Sequence, residues 1–400
     1  KVAKKEIQRV DYSNKEKFAG LFPTISAGGQ YSRAIEKQKM YFSFPGMPAN
    51  PDGIKVGQDN TFSGGFSASM PIIAPTLWAT LKMSEIDAKL TLESARSSKI
   101  SLLNQVTKAF YGVLLTQDSY NVFERSFMSS AENAKIINNK YKQGMVSEFE
   151  WIRADVQARN ALSNLVSAES AVNMSLLQVK MLLGLDMFLP IKVEGKLSDY
   201  EKEMYAEVLS IDTTKINSNT DLKQFDLKKD QLKQTIEVQK STWLPTLAAS
   251  ANYQYMMMAN DSVLSEGKWF PTSTVALNLS IPIFQGGAKS YKLKQMKIQL
   301  DELGFQRESL KKSIEFQVIT AMDNMKKAIE KIESNKKALA QAEKAMVISQ
   351  KRYDVGAGTY LDVTNSELAY IQAGLSYNQS IFDYLSAKSD LEKLLGKDSN

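Results

Sequence analysis

Neither cysteine nor histidine occurs anywhere in the 400 residues. That removes disulfides, thiol nucleophiles, Ser-His-Asp triads and the commonest transition-metal ligands together. It does not place the chain, since proteins of oxidising compartments can do without disulfides. Long apolar runs are missing too: no stretch of 18 or more apolar residues exists, so no segment reads as a transmembrane helix. Charge of one sign is not in excess. The 50 basic residues stand against 44 acidic, net +6, and no basic cluster interleaves with aromatics as a nucleic-acid groove requires. No nucleic acid, cofactor or metal is therefore expected. Residues 1 to 20 are too charged for a signal peptide, which implies that any leader has already been removed.

Proline and glycine almost vanish between residues 286 and 352, where Lys, Glu, Gln, Ala, Leu and Met favour helix at nearly every position. At 1.5 Å per residue, a helix of about 65 residues runs roughly 100 Å. Met322, Met325, Ile329, Ile332, Leu339 and Met346 follow a 3-4 spacing with lapses at Lys336 and Glu343, the seam of a helix packed on neighbours. After Gly356 and Gly358 the pattern resumes with Leu361, Leu368, Leu375 and Phe382 at sevens. Two antiparallel helices joined by a glycine turn are predicted.

This unit occurs twice. Arg352-Tyr353-Asp354-Val355-Gly356 answers Lys140-Tyr141-Lys142-Gln143-Gly144, and Leu394-Leu395-Gly396 answers Leu182-Leu183-Gly184, all at an offset of 212 (353 − 141; 396 − 184). An ungapped register suits helices, because an insertion would rotate one face away from its partner. Upstream, Leu21-Phe22-Pro23-Thr24-Ile25 echoes Trp243-Leu244-Pro245-Thr246-Leu247, and Met70-Pro71-Ile72 echoes Ile281-Pro282-Ile283. The repeats span about 1–184 and 219–396, with 185–218 between them.

Between the helices lie alternating segments. In Thr246–Met258, Leu247, Ala249, Ala251, Tyr253 and Tyr255 share one face, opposite Ala248, Ser250, Asn252 and Gln254. In Thr272–Phe284, Val275, Leu277, Leu279 and Ile281 oppose Thr274, Ala276, Asn278 and Ser280. The first copy repeats this with Phe62, Phe66, Ala68 and Met70, and more weakly with Ile25, Ala27, Gly29 and Tyr31. A soluble sandwich shows the same alternation. The polar faces, however, carry almost no charge, and Trp269 and Phe270 at one end with Phe22, Trp243 and Phe284 at the other suit the aromatic belts of a wet-lumened membrane barrel. Four strands cannot close a barrel, and lipid does not tolerate open edges. Several copies must then combine, and a trimer supplies twelve strands. From the heptads alone a coiled-coil rod is an equal alternative.

The order of these elements, the Leu-Pro-Thr strand entries, the Asn219-Thr220-Asp221-Leu222 opening of the second half, and Arg352 through Val363 around the glycine turn resemble the outer-membrane efflux protein (TolC) family over nearly the whole chain. The resemblance implies a mixed, mainly α fold: a homotrimer whose twelve strands form one transmembrane β-barrel continuous with a twelve-helix periplasmic α-barrel. Residues 23–73 and 245–284 would supply the strands, with outer loops 45–60 and 259–269. Residues 1–22, 74–184, 219–244 and 285–396 would supply the helices, with tips near 141–147 and 353–359, and 185–218 would form an equatorial belt or a plain linker. It implies an outer-membrane exit duct reaching into the periplasm. Its partners would be outer-membrane lipid, a periplasmic adaptor (membrane fusion protein) and, through that, an inner-membrane pump.

A duct needs no catalytic residue. In the family, acidic rings after the glycine turn constrict the pore; Asp362 falls on the first acidic position, and Asn365 stands where a second Asp is frequent. Gly358 replaces an arginine that latches some relatives, and Glu150 is the first-repeat equivalent of Asp362. Carboxylates around an axis attract cations, so a cation-preferring mouth is expected; a solvated acid at a helix start is the plainer reading of both. Tyr353 and Tyr141 either hydrogen-bond across helices or pack in the seam. Gly144, Ser147, Val355, Gly356, Ala357, Gly358 and Thr359 form the tip that would meet the adaptor. A coiled-coil stalk without a conducting role, and a glycosidase using two acids, are the competing classes.

Overall fold

A computed structural model of the chain describes residues 1–41, 52–201, 204, 213–260 and 268–397. These fall into two compact units, and each unit draws on both repeats. One comprises Lys1–Leu92 and Asp226–Phe305, the other Glu93–Phe225 and Gln306–Asn400. Duplication in sequence is thus not division in space.

In chain order the main elements are α1 (Val2–Ala19), β1 (Thr24–Arg33), β2 (Gln38–Met40), β3 (Ile54–Val56), β4 (Asn60–Ile73), α2 (Pro75–Lys142) and α3 (Glu148–Leu183). The second half gives α4 (Thr220–Ser241), β5 (Thr246–Ala259), β6 (Trp269–Ser280), α5 (Ala288–Asp354) and α6 (Tyr360–Leu394). Proline opens α2 at the one helical position where its missing N–H costs nothing. Asn219 caps α4 by accepting from the backbone N–H groups of Asp221 and Leu222 at 2.8 and 3.2 Å. Left-handed Gly184 ends α3 at φ 66°, and left-handed Gly396 follows α6 at φ 64°. Among the described residues no helix is long and apolar enough to cross a membrane.

The first unit is organised by a four-stranded antiparallel sheet in the order β1-β4-β5-β6. Its register sorts the faces. Ile25, Ala68, Ala251 and Val275 stand opposite one another across all four strands, and the next rank is Ser26, Ser67, Asn252 and Thr274. Apolar side chains therefore share one face and hydroxyls and amides the other. Val275, Leu277 and Leu279 are 82, 68 and 61% exposed, so none of the described residues covers the apolar face at β6. Near the far end the rank Tyr31, Phe62, Met257, Trp269 gathers aromatics, with Tyr31 and Phe62 rings 4.7 Å apart. Gly65 is forced by proximity: a Cβ there would run into the Tyr253 carbonyl of the adjacent strand.

Three expectations need correction. The alternation suggests a strand from Thr272 to Phe284, but β6 runs from Trp269 to Ser280, because Pro282 offers no N–H to a ladder. Residues 45–60, expected as an outer loop, contain β3, which pairs with β2 from Gln38↔Val56 to Met40↔Ile54, and the start of β4. Of the two outer loops, 45–51 and 261–267 lie outside the described residues. Within one chain the leucine row is a seam only at its far end: Phe382 packs against the core, whereas Leu361 and Leu368 are 45 and 54% exposed. The buried row of α6 is Tyr360, Val363, Glu367, Tyr370, Gly374, Tyr377, Ile381 and Tyr384, a 3-4 spacing one position removed.

The later part of that row, Tyr377, Ile381 and Tyr384, meets the buried row of α5, which includes Ile314, Val318, Ala321, Met325, Ala328 and Ile332, in the core of the second unit. Leu114 of α2 joins them with no exposed surface. Each such apolar side chain contributes about 1.5–3 kcal/mol on burial. Gly374 permits close approach, since a Cβ would stand 3.0 Å from a Val122 methyl. The described part of 185–218 joins this core: Leu197 and Met204 are buried in it, and the Leu197 N–H donates to Asp118 at 3.0 Å.

Candidate functional site

The two helical reversals are built alike. After α2, the Gly144 N–H donates to the Tyr141 carbonyl at 2.8 Å and the Met145 N–H to Lys140 at 2.9 Å. After α5, the Gly356 N–H donates to Tyr353 at 3.1 Å and the Ala357 N–H to Arg352 at 2.8 Å. Both are Schellman closures around a left-handed glycine, φ 71° at Gly144 and 75° at Gly356. Gly358 has an ordinary φ; its role is closeness, as a Cβ would lie 3.2 Å from that of Arg352. The third residue after each left-handed glycine, Ser147 or Thr359, caps the returning helix.

The caps differ in completeness. Asp362 closes a full capping box: its Oδ2 accepts from both the Thr359 N–H and the Thr359 hydroxyl at 2.9 Å, while its own N–H donates to Thr359 Oγ1 at 3.2 Å. Those bonds hold its carboxyl below the usual carboxylate range. Ser147 accepts from the Glu150 N–H at 3.3 Å, the same first half of the motif, and Glu150 is partly exposed. Asn365 is exposed one turn beyond Asp362.

The two reversals meet in one small core. Ile137, Ala154, Tyr353, Tyr360 and Val363 are buried together, with Ala134, Val146 and Trp151 packed against them. Tyr141 stacks on Trp151, ring centres 5.4 Å apart and planes within 5°. Tyr353 lies 5.8 Å from the Tyr360 ring and under the Lys140 ammonium at 4.9 Å. Its hydroxyl is buried and has no hydrogen-bond partner. Both tyrosines are therefore packed, and neither hydroxyl is seen bonding across helices. Burial, then the charges of Glu150 and Asp354, push the Tyr353 phenol up.

Three features of this end were not singled out in the sequence. Met145 and Phe149 stand 69 and 71% exposed beside Val355 at 78%, an apolar rim on the reversals. Above the small core, Glu367 is 2% exposed and accepts from Ser126 and Ser130 hydroxyls at 2.9 and 2.7 Å. Arg125 on α2 pairs instead with Glu343 of α5 at 2.8 Å. Burial lifts the Glu367 carboxyl against the pull of the two hydroxyls. Its signal was an acid in the middle of the tyrosine-rich 3-4 row.

Comparison with known proteins bears on the whole chain. The family model described as outer membrane efflux protein matches residues 1–185 and 214–397. The outer membrane protein TolC of Vibrio cholerae is 19% identical over 346 residues, covering 85% of this chain and 77% of its own. The alkaline protease secretion protein AprF of Pseudomonas aeruginosa is 18% identical over 341 residues, covering 84% of this chain and 70% of its own. Among solved structures, the CmeC outer membrane channel of Campylobacter jejuni superposes with a TM-score of 0.75 at 17% identity, covering 99% of this chain and 82% of that one.

Proposed function

Because the chain belongs to the outer membrane efflux protein family, a family of the bacterial outer membrane, we propose that three copies form the exit duct of a tripartite export system. The observation that carries this reading is the sheet: an apolar face exposed at β6, a nearly chargeless hydroxyl and amide face, and edges at β1 and β6 that no other strand among the described residues pairs. Unpaired edges are not tolerated in lipid, so the sheet must continue into other copies. Two copies would give eight strands, whose interior side chains fill; twelve leave a lumen for water and cargo.

On this reading the strands cross the outer membrane and the helices line a periplasmic tunnel. The duct conducts passively; the inner-membrane pump selects among drugs, other small molecules or proteins. The two reversals are its inner mouth. Their glycines, with Ser147, Val355, Ala357 and Thr359, meet the periplasmic adaptor, and the exposed Met145 and Phe149 extend that surface. Asp362 and Glu150 give the mouth its cation preference, with Asn365 contributing a dipole. Packing of Tyr353 and Tyr141, not a cross-helix hydrogen bond, holds the mouth in this arrangement.

Single-channel recording in planar bilayers, with the mass of the purified oligomer, tests the proposal. A trimer giving small cation-selective openings, with selectivity weakened in Asp362→Asn, supports it. A monomer or dimer without conductance would sink it.

A further inference from the structure

At the Thr24/Ser280 end of the sheet, four helices adjoin the strands, and their lysines are neutralised unequally. On α1, Lys15 pairs with Asp11 at 2.7 Å and Lys17 with Asp87 at 3.3 Å. On α4, Lys240 pairs with Glu237 at 2.6 Å. The first ten residues of α5 hold Lys289, Lys292, Lys294 and Lys297, with no acid anywhere between Glu266 and Asp301. Lys289 donates to the Thr242 carbonyl and Lys294 sits over the Tyr291 ring at 5.8 Å. Among the described residues none of the four has an acidic partner.

Cations at a helix N-terminus oppose the helix dipole, so this cluster is unfavourable unless an anion answers it. The chain leading into α5 carries Ile281, Ile283 and Phe284, 58, 93 and 85% exposed; Ile281 and Ile283 keep the alternate positions of the apolar row of β6, and Phe284 adds an exposed ring beside them. An oily ledge running directly into unneutralised lysines has the chemistry of a bilayer boundary. Lys289 to Lys294 rise over about 8 Å of helix axis, close to the roughly 5–8 Å depth of one headgroup layer.

We propose that the first turns of α5 dock the anionic phosphate headgroups of the inner leaflet, with Lys292 and Lys294 as the contacts and Ile283 and Phe284 against the acyl chains. This rests on the reading that the strands span the bilayer. Lys289 is committed to Thr242 and braces the helix start. Repeated around a trimer, the site forms an anionic-lipid collar below the barrel.

The test uses the full chain reconstituted in phosphatidylcholine with or without phosphatidylglycerol, extracted gently and weighed by native mass spectrometry to count retained lipids. The wild type is expected to retain phosphatidylglycerol preferentially, less so as salt rises. Each of Lys292→Gln and Lys294→Gln lowers that preference about fivefold at low salt, and Lys→Arg preserves it. Insertion with equal retention of both lipids overturns the collar alone, as does a preference unchanged in the double Gln variant. Failure of the wild type to enter either membrane overturns the bilayer-spanning reading and the collar with it.

Discussion

Glu367 is the most exacting place to perturb the helical unit. Its carboxyl faces Ser126 and Ser130 on α2, while Tyr360 and Tyr370 share its row on α6 and the Arg125–Glu343 pair joins α2 to α5 nearby. Burial and then the Glu367 charge push the Tyr360 phenol up to about 12, so that hydroxyl stays neutral. No described cation compensates Glu367, whose folded pKa lies above the ordinary glutamate value of about 4.3. The raised pKa sets the sign. Stability from the neutral carboxyl is fully present below the unfolded value and is lost as pH rises through the folded one.

Glu367→Gln keeps the length and an acceptor oxygen but cannot ionise. Variant and wild type should therefore unfold together near pH 4 and separate as pH rises, with the variant the more stable. The gap is about 1.4 kcal/mol for each pH unit by which burial lifts the carboxyl, and each kcal/mol moves Tm by roughly 2–4 °C for a unit of 150–250 residues. Ser130→Ala removes one of two donors to the same oxygen. It should cost about 1.5–3 kcal/mol where the carboxyl is ionised and nearer 1 where it is neutral. Far-UV circular dichroism melts across pH, with hydrogen exchange on the Ser126–Ser130 segment, read both effects. A wild type that gains on Glu367→Gln with rising pH would refute the reasoning.

Other changes probe the reversals. Gly356→Ala and Gly144→Ala force a side chain into the left-handed region and should each cost about 1–2 kcal/mol in denaturant unfolding; a neutral result would mean the turn relaxes to another closure. Thr359→Ala removes the cap, at about 1 kcal/mol, and lets the Asp362 carboxyl drift back up. Asp362 has a lowered folded pKa, so its contribution is present above the unfolded value and fades as pH falls through the folded one. An NMR titration of Asp362 unmoved by Thr359→Ala would count against that coupling. Tyr353→Phe discards a buried hydroxyl without a partner, so stability should hold or rise slightly; a loss above about 1 kcal/mol would reveal a hidden bond.

The strands and reversals are legible in sequence because each obeys a local rule. Two-residue alternation separates Ala251 from Asn252 whatever the partner strand, and the register keeps them apart. Gly144 and Gly356 signal positive φ before any contact is known. The seam of α6 is not legible through leucine, since the chain leaves Leu361 and Leu368 exposed while Tyr, Gly and one Glu fill the interior. Hydrophobicity ranks leucine above tyrosine; close approach at Gly374 and hydroxyl partners for Glu367 depend on α2, far away in sequence. The short β2–β3 ladder is hidden for a similar reason, as three residues are too few to show a period.

The strand order carries a temporal consequence. β4 and β5 are neighbours in the sheet, yet Gly65 pairs with Gln254, so the central seam joins residues almost half the chain apart. A nascent chain that has completed only its first repeat possesses the β1–β4 hairpin alone, which is marginal without further strands. Pairing of such distant segments is slow because the intervening loop must close first. The four-stranded sheet therefore forms late, after α2, α3 and α4 have all been made. A truncated product ending before β5 has no four-stranded sheet, and that surface belongs only to chains that extend past Ser280.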